Sequence, residues 1–223
     1  MRYGEKRGVL DVLRFTFAGG WIVNPTCEKI LLDSTVGYDS EIHRLIAPYM
    51  AEYKSRLSQV IGESSVNLDA HENAVRRHES SLGNFIADSW LAWFTHADIA
   101  LVNSGTIRGD KVYPAGPVTY LTVNEILPFK GEVVSIKING ADLKQLLEIA
   151  ASALRVQDDG CPDNSRAASG GFFQMAGLRI TIDLSKPSFC AVYSERGISQ
   201  LTNPGSRILK AEVYLNGLWT PLD

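Results

Sequence analysis

The stretch ALVNSGTIRGD, residues 100–110, decides how this chain is read. Ile99, Ala100, Leu101 and Val102 form an apolar run that stops at Asn103-Ser104-Gly105. A lone arginine, Arg108, follows three residues later. The run has the length of a buried strand, and Asn-Ser-Gly is turn chemistry. A plain turn, an anion site and part of a substrate pocket all fit this pattern. Gly105 gives the backbone access to positive φ and to close approach. Asn103 offers a donor and an acceptor at a strand end, and Arg108 a planar fork suited to phosphate or carboxylate.

Working outward, a helix is expected from Ser80 or Ser81 to about Phe94, with Leu82, Phe85, Ile86, Trp90 and Trp93 as its buried stripe. After the 98–102 strand come a Gly/Pro loop (109–117) and a short strand (118–121). Thr122 is then expected to cap one helical turn ending at Leu127. Val133–Ile138 alternates with period two, and Asn139-Gly140 marks a turn before an amphipathic helix over 141–154. Leu143, Leu146, Leu147 and Ala150 should face inward. Residues 155–171 read as a polar surface loop, and 172–182 and 208–215 as strands. Strands and helices alternate without a regular βαβ beat, so an α+β domain of mixed sheets with flanking helices is expected over 62–223. Residues 1–38 read as irregular, the remnant of a preceding domain or an interdomain segment. Residues 39–61 read as a connector helix with Ile42, Leu45, Ile46, Tyr49, Tyr53, Leu57 and Val60 on one face. Pro48 should kink it.

Composition excludes several classes. The chain has 223 residues, is 45% hydrophobic and 21% charged, and carries a net charge of −3, which argues against a nucleic-acid partner. No apolar run reaches the roughly 18 residues a spanning helix needs. The N-terminal apolar stretch is broken by Asp11 and Arg14, so no secretory signal is read there. Cys27, Cys161 and Cys190 form no CxxC pair and no metal spacing, which points to buried or free thiols.

Several side chains are candidates for chemistry. Arg76-Arg77-His78-Glu79 precedes the helix at 81, where the helix N-terminus adds its dipole to a cationic cluster fit for phosphate. A solvated basic loop is the alternative. Phe129 follows Pro128 on a stiff turn and either stacks on a flat ligand or sits in the core. Asp69-Ala70-His71 has the form of a metal-binding D-x-H, but a two-metal phosphoesterase needs further Asp, Asn and His ligands at several loops, and His43, His78 and His96 form no GNHE-like or HxH-like partner. His43 and His96 fall on expected helices and read as ordinary surface residues. There is no GxSxG elbow and no P-loop.

Taken in order, five blocks say more than any one of them. RRHESSLGNFIADS (76–89), ADIALVNSGTIR (97–108), LTVNEILPF (121–129), VVSIKINGADLKQLLE (133–148) and GGFFQMAGLRITID (170–183) resemble the C-terminal domain of the 5′-nucleotidase family. That family includes UDP-sugar hydrolase and 2′,3′-cyclic phosphodiesterase relatives. The resemblance covers about residues 60–223. It implies a domain that binds a nucleotide and presents it to a separate N-terminal metallophosphoesterase domain holding two divalent metal ions. It implies substrate contacts from Asn103, Gly105 and Arg108, with Arg108 on phosphate. It makes Phe129 one wall of a base-stacking clamp, and Arg76 and His78 the phosphate-side residues before the helix.

The sequence departs from the family pattern in two ways. The family often has R-x-R-E-S before L-G-N, and here His78 takes the second arginine's place, a weaker and pH-dependent phosphate contact. The family's N-F-x-x-x-G-G-D-G segment, with its second stacking aromatic, is not in the sequence, so an incomplete domain is expected. The resemblance therefore implies the recognition domain of a metal-dependent phosphoric ester hydrolase, with no cofactor of its own and inactive alone. A non-catalytic binding module, or part of a sugar-phosphate phosphatase, is the alternative. Relatives are often periplasmic, secreted or surface-anchored, which leaves localisation open.

Overall fold

The computed structural model describes residues 8–33, 35–156, 160–195 and 197–222. The chain divides into two compact units, one ending at Ser55 and the other beginning at Arg56.

In the first unit, β1 (Val9–Ala18) and β2 (Trp21–Leu31) form a long antiparallel hairpin. Gly19 and Gly20 turn it with φ of 59° and 81°, the positive values that match the twist of a two-residue hairpin. This corrects the reading of 1–38 as irregular; residues 1–7 and Ser34 lie outside the described residues. Asn24-Pro25 reads as a chain break because proline cannot donate to a ladder. Here the register slips between Arg14 and Thr16, and Asn24, at φ 51°, lies in the resulting bulge. Helix α1 (Ser40–Leu57) continues through Pro48. Asp39 caps it: its Oδ1 accepts the N–H groups of Glu41 and Ile42, both at 2.9 Å. Its apolar stripe of Ile42, Leu45, Ile46, Tyr49 and Tyr53 is exposed, and none of its residues is buried.

The second unit runs β3 (Val60–Ser64), β4 (Leu68–Asp69), α2 (Glu72–Val75), α3 (Ser81–Trp93), β5 (Ala100–Asn103), β6 (Val112–Tyr113), β7 (Gly116–Thr119), α4 (Tyr120–Ile126), α5 (Gly140–Ala151), β8 (Phe173–Ala176), β9 (Leu178–Ile182), β10 (Phe189–Ser194), β11 (Gly197–Pro204), β12 (Ile208–Leu215) and β13 (Leu218–Pro221). The pairs β3–β7, β4–β6, β5–β8 and β10–β11, and the triplet β9–β12–β13, are all antiparallel. The fold is α+β, with small sheets between helices.

The β5–β8 pair is the middle layer. Val102 and Ala176 join Leu82, Ile86, Ile107 and Ile126 in one core, on the α3 side. Leu101, Phe173 and Met175 pack into the other, with Leu143 and Leu147 of α5 and Ile208 and Val213 of β12. Both faces of the strand are covered, so the 99–102 run is continuously apolar instead of alternating. Gly177, at φ 68°, separates β8 from β9, where a Cβ would stand 2.2 Å from the Asp98 carbonyl. The expected single strand over 172–182 is therefore two, one for each neighbouring sheet.

Other expectations also need correction. The core covers Leu82 and Ile86 of α3, but Phe85 and Trp93, at the edges of the stripe, are 56% and 83% exposed. His96 lies in the turn after α3 and not on a helix. α4 is capped by Thr119; Thr122 is its third residue and completes a reciprocal capping box. Residues 133–138 form no strand, and Val134 and Ile136 are exposed. Their alternation is real, but no described strand pairs with them, and a ladder needs a partner. Within the 155–171 loop, of which residues 157–159 lie outside the description, Cys161 is joined to Cys190 of β10 in a disulfide, with Cα atoms 5.9 Å apart. Only Cys27 is a free thiol. The bonded pair lies 29 positions apart, so local spacing carries no trace of it.

Candidate functional site

The turn after β5 is held from three sides. Ser104 is fully buried. Its N–H donates to the Phe172 carbonyl at 2.8 Å, and Thr106 Oγ1 donates back to the Asn103 carbonyl at 2.8 Å. Gly105 meets Gly170 backbone to backbone: a Cβ on Gly105 would lie 3.1 Å from Gly170 Cα. Its φ is not positive. The glycine thus serves close packing against the Gly170 backbone, and does not take the positive φ open to it. Asn103 ends the β5 ladder opposite Phe173, with its side chain exposed.

Arg108 is fixed by its backbone N–H, which donates to the Ile126 carbonyl at the end of α4 at 2.8 Å. The same α4 terminus leads into Phe129. The Arg108 guanidinium carbon consequently lies 5.2 Å from the centre of the Phe129 ring, within cation–π range. The ring is 59% exposed, which settles the choice between core and surface for Phe129. The positive φ values of Gly109 (114°) and Asp110 (47°) then turn the chain away.

Arg76 arrives from the other side. Its Nη2 is 2.7 Å from Glu72 Oε1, and its Nη1 donates to Ser169 Oγ at 3.3 Å. Arg108 Nη1 is 3.7 Å from that same Glu72 oxygen. Two guanidinium groups, one from the start of the α2–α3 turn and one from the β5 turn, thus converge on one carboxylate. The Nε atoms of both are buried without a hydrogen-bond partner. Arg76, Arg108 and Phe129 are brought together. His78 is not joined to them by any contact: its ring is exposed and, among the described residues, has no hydrogen-bond or ion-pair partner.

Sequence reasoning missed the residue that holds this arrangement. Gln174 of β8 is buried. Its Nε2 donates to the carbonyls of Val75 at 2.7 Å and His78 at 2.6 Å, and its Oε1 accepts from Ser80 N–H at 3.1 Å. It ties the Arg76 turn to the strand that pairs with the Asn103 strand. Gly83 makes room for it, since a Cβ there would lie 2.1 Å from Gln174 Oε1. A glutamine inside an apolar strand was the available signal, because a buried amide needs partners.

Asp69 and His71 pair with each other. Asp69 Oδ1 accepts from His71 N–H at 2.9 Å and pairs with its Nδ1 at 2.7 Å. The backbone N–H of His71 holds the Asp69 carboxyl below its usual range. Among the described residues, no three His, Cys, Asp or Glu side chains group in a way that would hold a metal ion. An open depression of about 350 Å³ lies on the β9–β12 face. Its charges answer one another, with Glu212 bridged to Arg179 at 2.6 Å and Lys210 at 2.9 Å. No described helix is long and apolar enough to cross a membrane.

Comparison with known proteins gives a consistent set of likenesses. Residues 60–223 match the family model described as the C-terminal domain of 5′-nucleotidase. The chain is 26% identical over 223 residues to a snake venom 5′-nucleotidase of Crotalus adamanteus, covering 95% of this chain and 33% of that protein. It is 28% identical over 166 residues to a 5′-nucleotidase of Vibrio cholerae, covering 74% and 27%. The crystal structure of a 5′-nucleotidase precursor from Thermus thermophilus superposes with a TM-score of 0.63 at 29% identity, covering 97% of this chain and 38% of the other. The chain thus spans about a third of the length of such relatives.

Proposed function

Because this chain belongs to the 5′-nucleotidase C-terminal-domain family, we propose that it is the recognition half of a phosphate-ester hydrolase that takes nucleotides. The observation that carries this reading is the Arg108 guanidinium 5.2 Å from an exposed Phe129 ring. A charged fork beside a flat apolar face is what a phosphorylated nucleoside requires. Arg108 and Arg76 grip the phosphoryl group by charge-assisted hydrogen bonds. Phe129 stacks on the base, which is worth about 1–3 kcal/mol. Asn103 supplies a neutral donor and acceptor at the strand end, and Gly105 keeps the turn tight against Gly170. His78, with its exposed ring, is at most a weaker, pH-dependent outer contact to the phosphate.

Hydrolysis in this reading belongs to a separate metallophosphoesterase domain, whose two divalent metal ions would supply Lewis-acid polarisation and an activated water. The described residues of this chain do not fit that role, so no step through the metals is assigned to them. A second reading, a non-catalytic interaction module, draws on the uncovered stripe of α1.

Calorimetry with AMP, UMP and a phosphorylated sugar separates these readings. Arg108→Ala should weaken all three ligands by roughly ten- to a hundredfold, the range for losing a charged hydrogen bond. Phe129→Ala should weaken only the two that carry a base. Equal binding by wild type and Arg108→Ala would overturn the recognition role and leave the interaction module.

A further inference from the structure

The two guanidinium groups assigned to phosphate already share an anion. Glu72 Oε1 stands 2.7 Å from Arg76 Nη2 and 3.7 Å from Arg108 Nη1. Its own N–H donates to Asp110 Oδ1 at 3.3 Å, which pins the start of α2 against the turn that follows Arg108. The carboxylate is placed but not enclosed, for its side chain is 53% exposed. It therefore has room to rotate into solvent. The buried Nε atoms of both arginines are left without a partner, so Glu72 does not satisfy either guanidinium fully.

We infer that Glu72 is the specificity-determining residue of this site: it holds the guanidinium face that a phosphoryl oxygen would take, and its charge selects among phosphate esters. This rests on the reading that Arg76 and Arg108 bind phosphate. Glu72 cancels one of the two guanidinium charges, and the Asp110 carboxylate that accepts its N–H lowers the local potential further. A monoanionic phosphodiester meets that repulsion with one charge. A dianionic phosphomonoester meets it with two, and it must both displace Glu72 and tolerate its field. Glu72 thus narrows the advantage that a dianion would otherwise have over a monoanion.

The test compares AMP with its methyl phosphodiester on the full chain, at fixed ionic strength and at a pH where AMP is dianionic. Wild type, Glu72→Gln and Arg108→Ala are titrated with both. Glu72→Gln should tighten AMP by about tenfold and the methyl diester by only about threefold, since removing the carboxylate relieves twice the charge repulsion for the dianion. The AMP gain should shrink as salt is raised. A merely structural effect of the substitution would move both ligands together. Equal changes on the two ligands, no change, or weaker AMP binding by Glu72→Gln while Arg108→Ala still loses affinity would overturn the role of Glu72 and leave the phosphate reading standing. Arg108→Ala binding like wild type would remove the phosphate reading and this inference with it.

Discussion

Arg207 and Arg108 carry the same side chain into opposite surroundings. Arg207 is fully buried. Its Nη1 donates to the carbonyls of Ala151 at 3.2 Å and Leu154 at 2.9 Å, and its Nε to Lys186 O at 3.3 Å. These bonds close the C-terminal end of α5, whose last carbonyls have no partner inside the helix. Its own N–H and that of Ile208 go to the two oxygens of the buried Glu148, at 3.0 and 2.8 Å. Arg108 keeps 38% of its side chain exposed, shares one oxygen of Glu72 with Arg76, lies over an open ring and leaves Nε unpaired. One guanidinium gives its Nε and Nη1 hydrogens to buried carbonyls and serves the fold. The other retains donor capacity that an incoming acceptor can use.

The contrast breaks most visibly if the buried arginine is cut back. Arg207→Ala takes a donor from the Ala151, Leu154 and Lys186 carbonyls, of which Ala151 keeps the Leu154 N–H at 3.1 Å, and it empties a buried site, at a cost of about 2–3 kcal/mol or more. Urea unfolding should show this loss as a large drop in midpoint. Any variant protein that remains folded should bind AMP as wild type does. A drop in affinity larger than the drop in stability would show that Arg207 belongs to the site after all.

The same half of the unit carries the Cys161–Cys190 disulfide. Closing a loop of this length is worth roughly 3.6 kcal/mol on the chain-entropy account. Reduction should lower the unfolding midpoint accordingly and leave AMP affinity unchanged. Thiol counting on the native oxidised chain should find one reactive group, Cys27.

Gln174 sharpens the contrast because it has features of both arginines. It is hydrogen-bonded and buried like Arg207, yet its partners are the Val75 and His78 carbonyls on either side of Arg76. Gln174→Leu should cost about 2 kcal/mol, the penalty for stranding buried backbone groups. Unlike Arg207→Ala, it should also weaken AMP, because the Arg76 turn loses its anchor. Wild-type affinity in a destabilised Gln174→Leu protein would mean that Arg76 is held in place without it.

These tests also mark where the sequence could and could not be read. The β5 run, the Asn-Ser-Gly turn, α3 and the Asn139 start of α5 were legible because each is decided by neighbours within a turn or two. The meeting of Arg76, Arg108 and Phe129 was expected only through family resemblance, since three loops supply them. Gln174 stood out only as an amide inside an apolar strand, and its partners, like those of the disulfide, lie far away in sequence and could not be read. The 9–31 hairpin was missed because a bulge at Asn24-Pro25 interrupts its alternation. Residues 133–138 mislead in the opposite way, with strand patterning but no described partner strand.

On the open side of the comparison, Arg108→Ala should barely touch stability. A partly exposed ion pair 3.7 Å long and one cation–π contact together contribute within about 1 kcal/mol. The unfolding midpoint should stay near that of wild type while AMP affinity falls at least about tenfold. A midpoint shift as large as that of Arg207→Ala would erase the distinction between the two side chains.

The smallest effect concerns a carboxylate that is saturated where Glu72 is not. Glu212 is bonded by Arg179, stacked on the Trp219 ring, and also by Lys210. The Arg179 hydrogen bond, followed by that of Lys210, pulls its pKa from 4.5 down to about 2. A folded pKa below the unfolded one stabilises the protein above the unfolded value, and that stabilisation is lost as pH falls through the folded value. The contribution is therefore complete above about pH 4.5 and disappears toward pH 2. Glu212→Gln should flatten the acid limb of stability across that window and leave the neutral-pH affinity for AMP unchanged. Urea titrations at a series of pH values on both proteins give the two slopes. Parallel slopes would mean that Glu212 gains nothing from its cations, and the contrast with Glu72 would then rest on geometry alone.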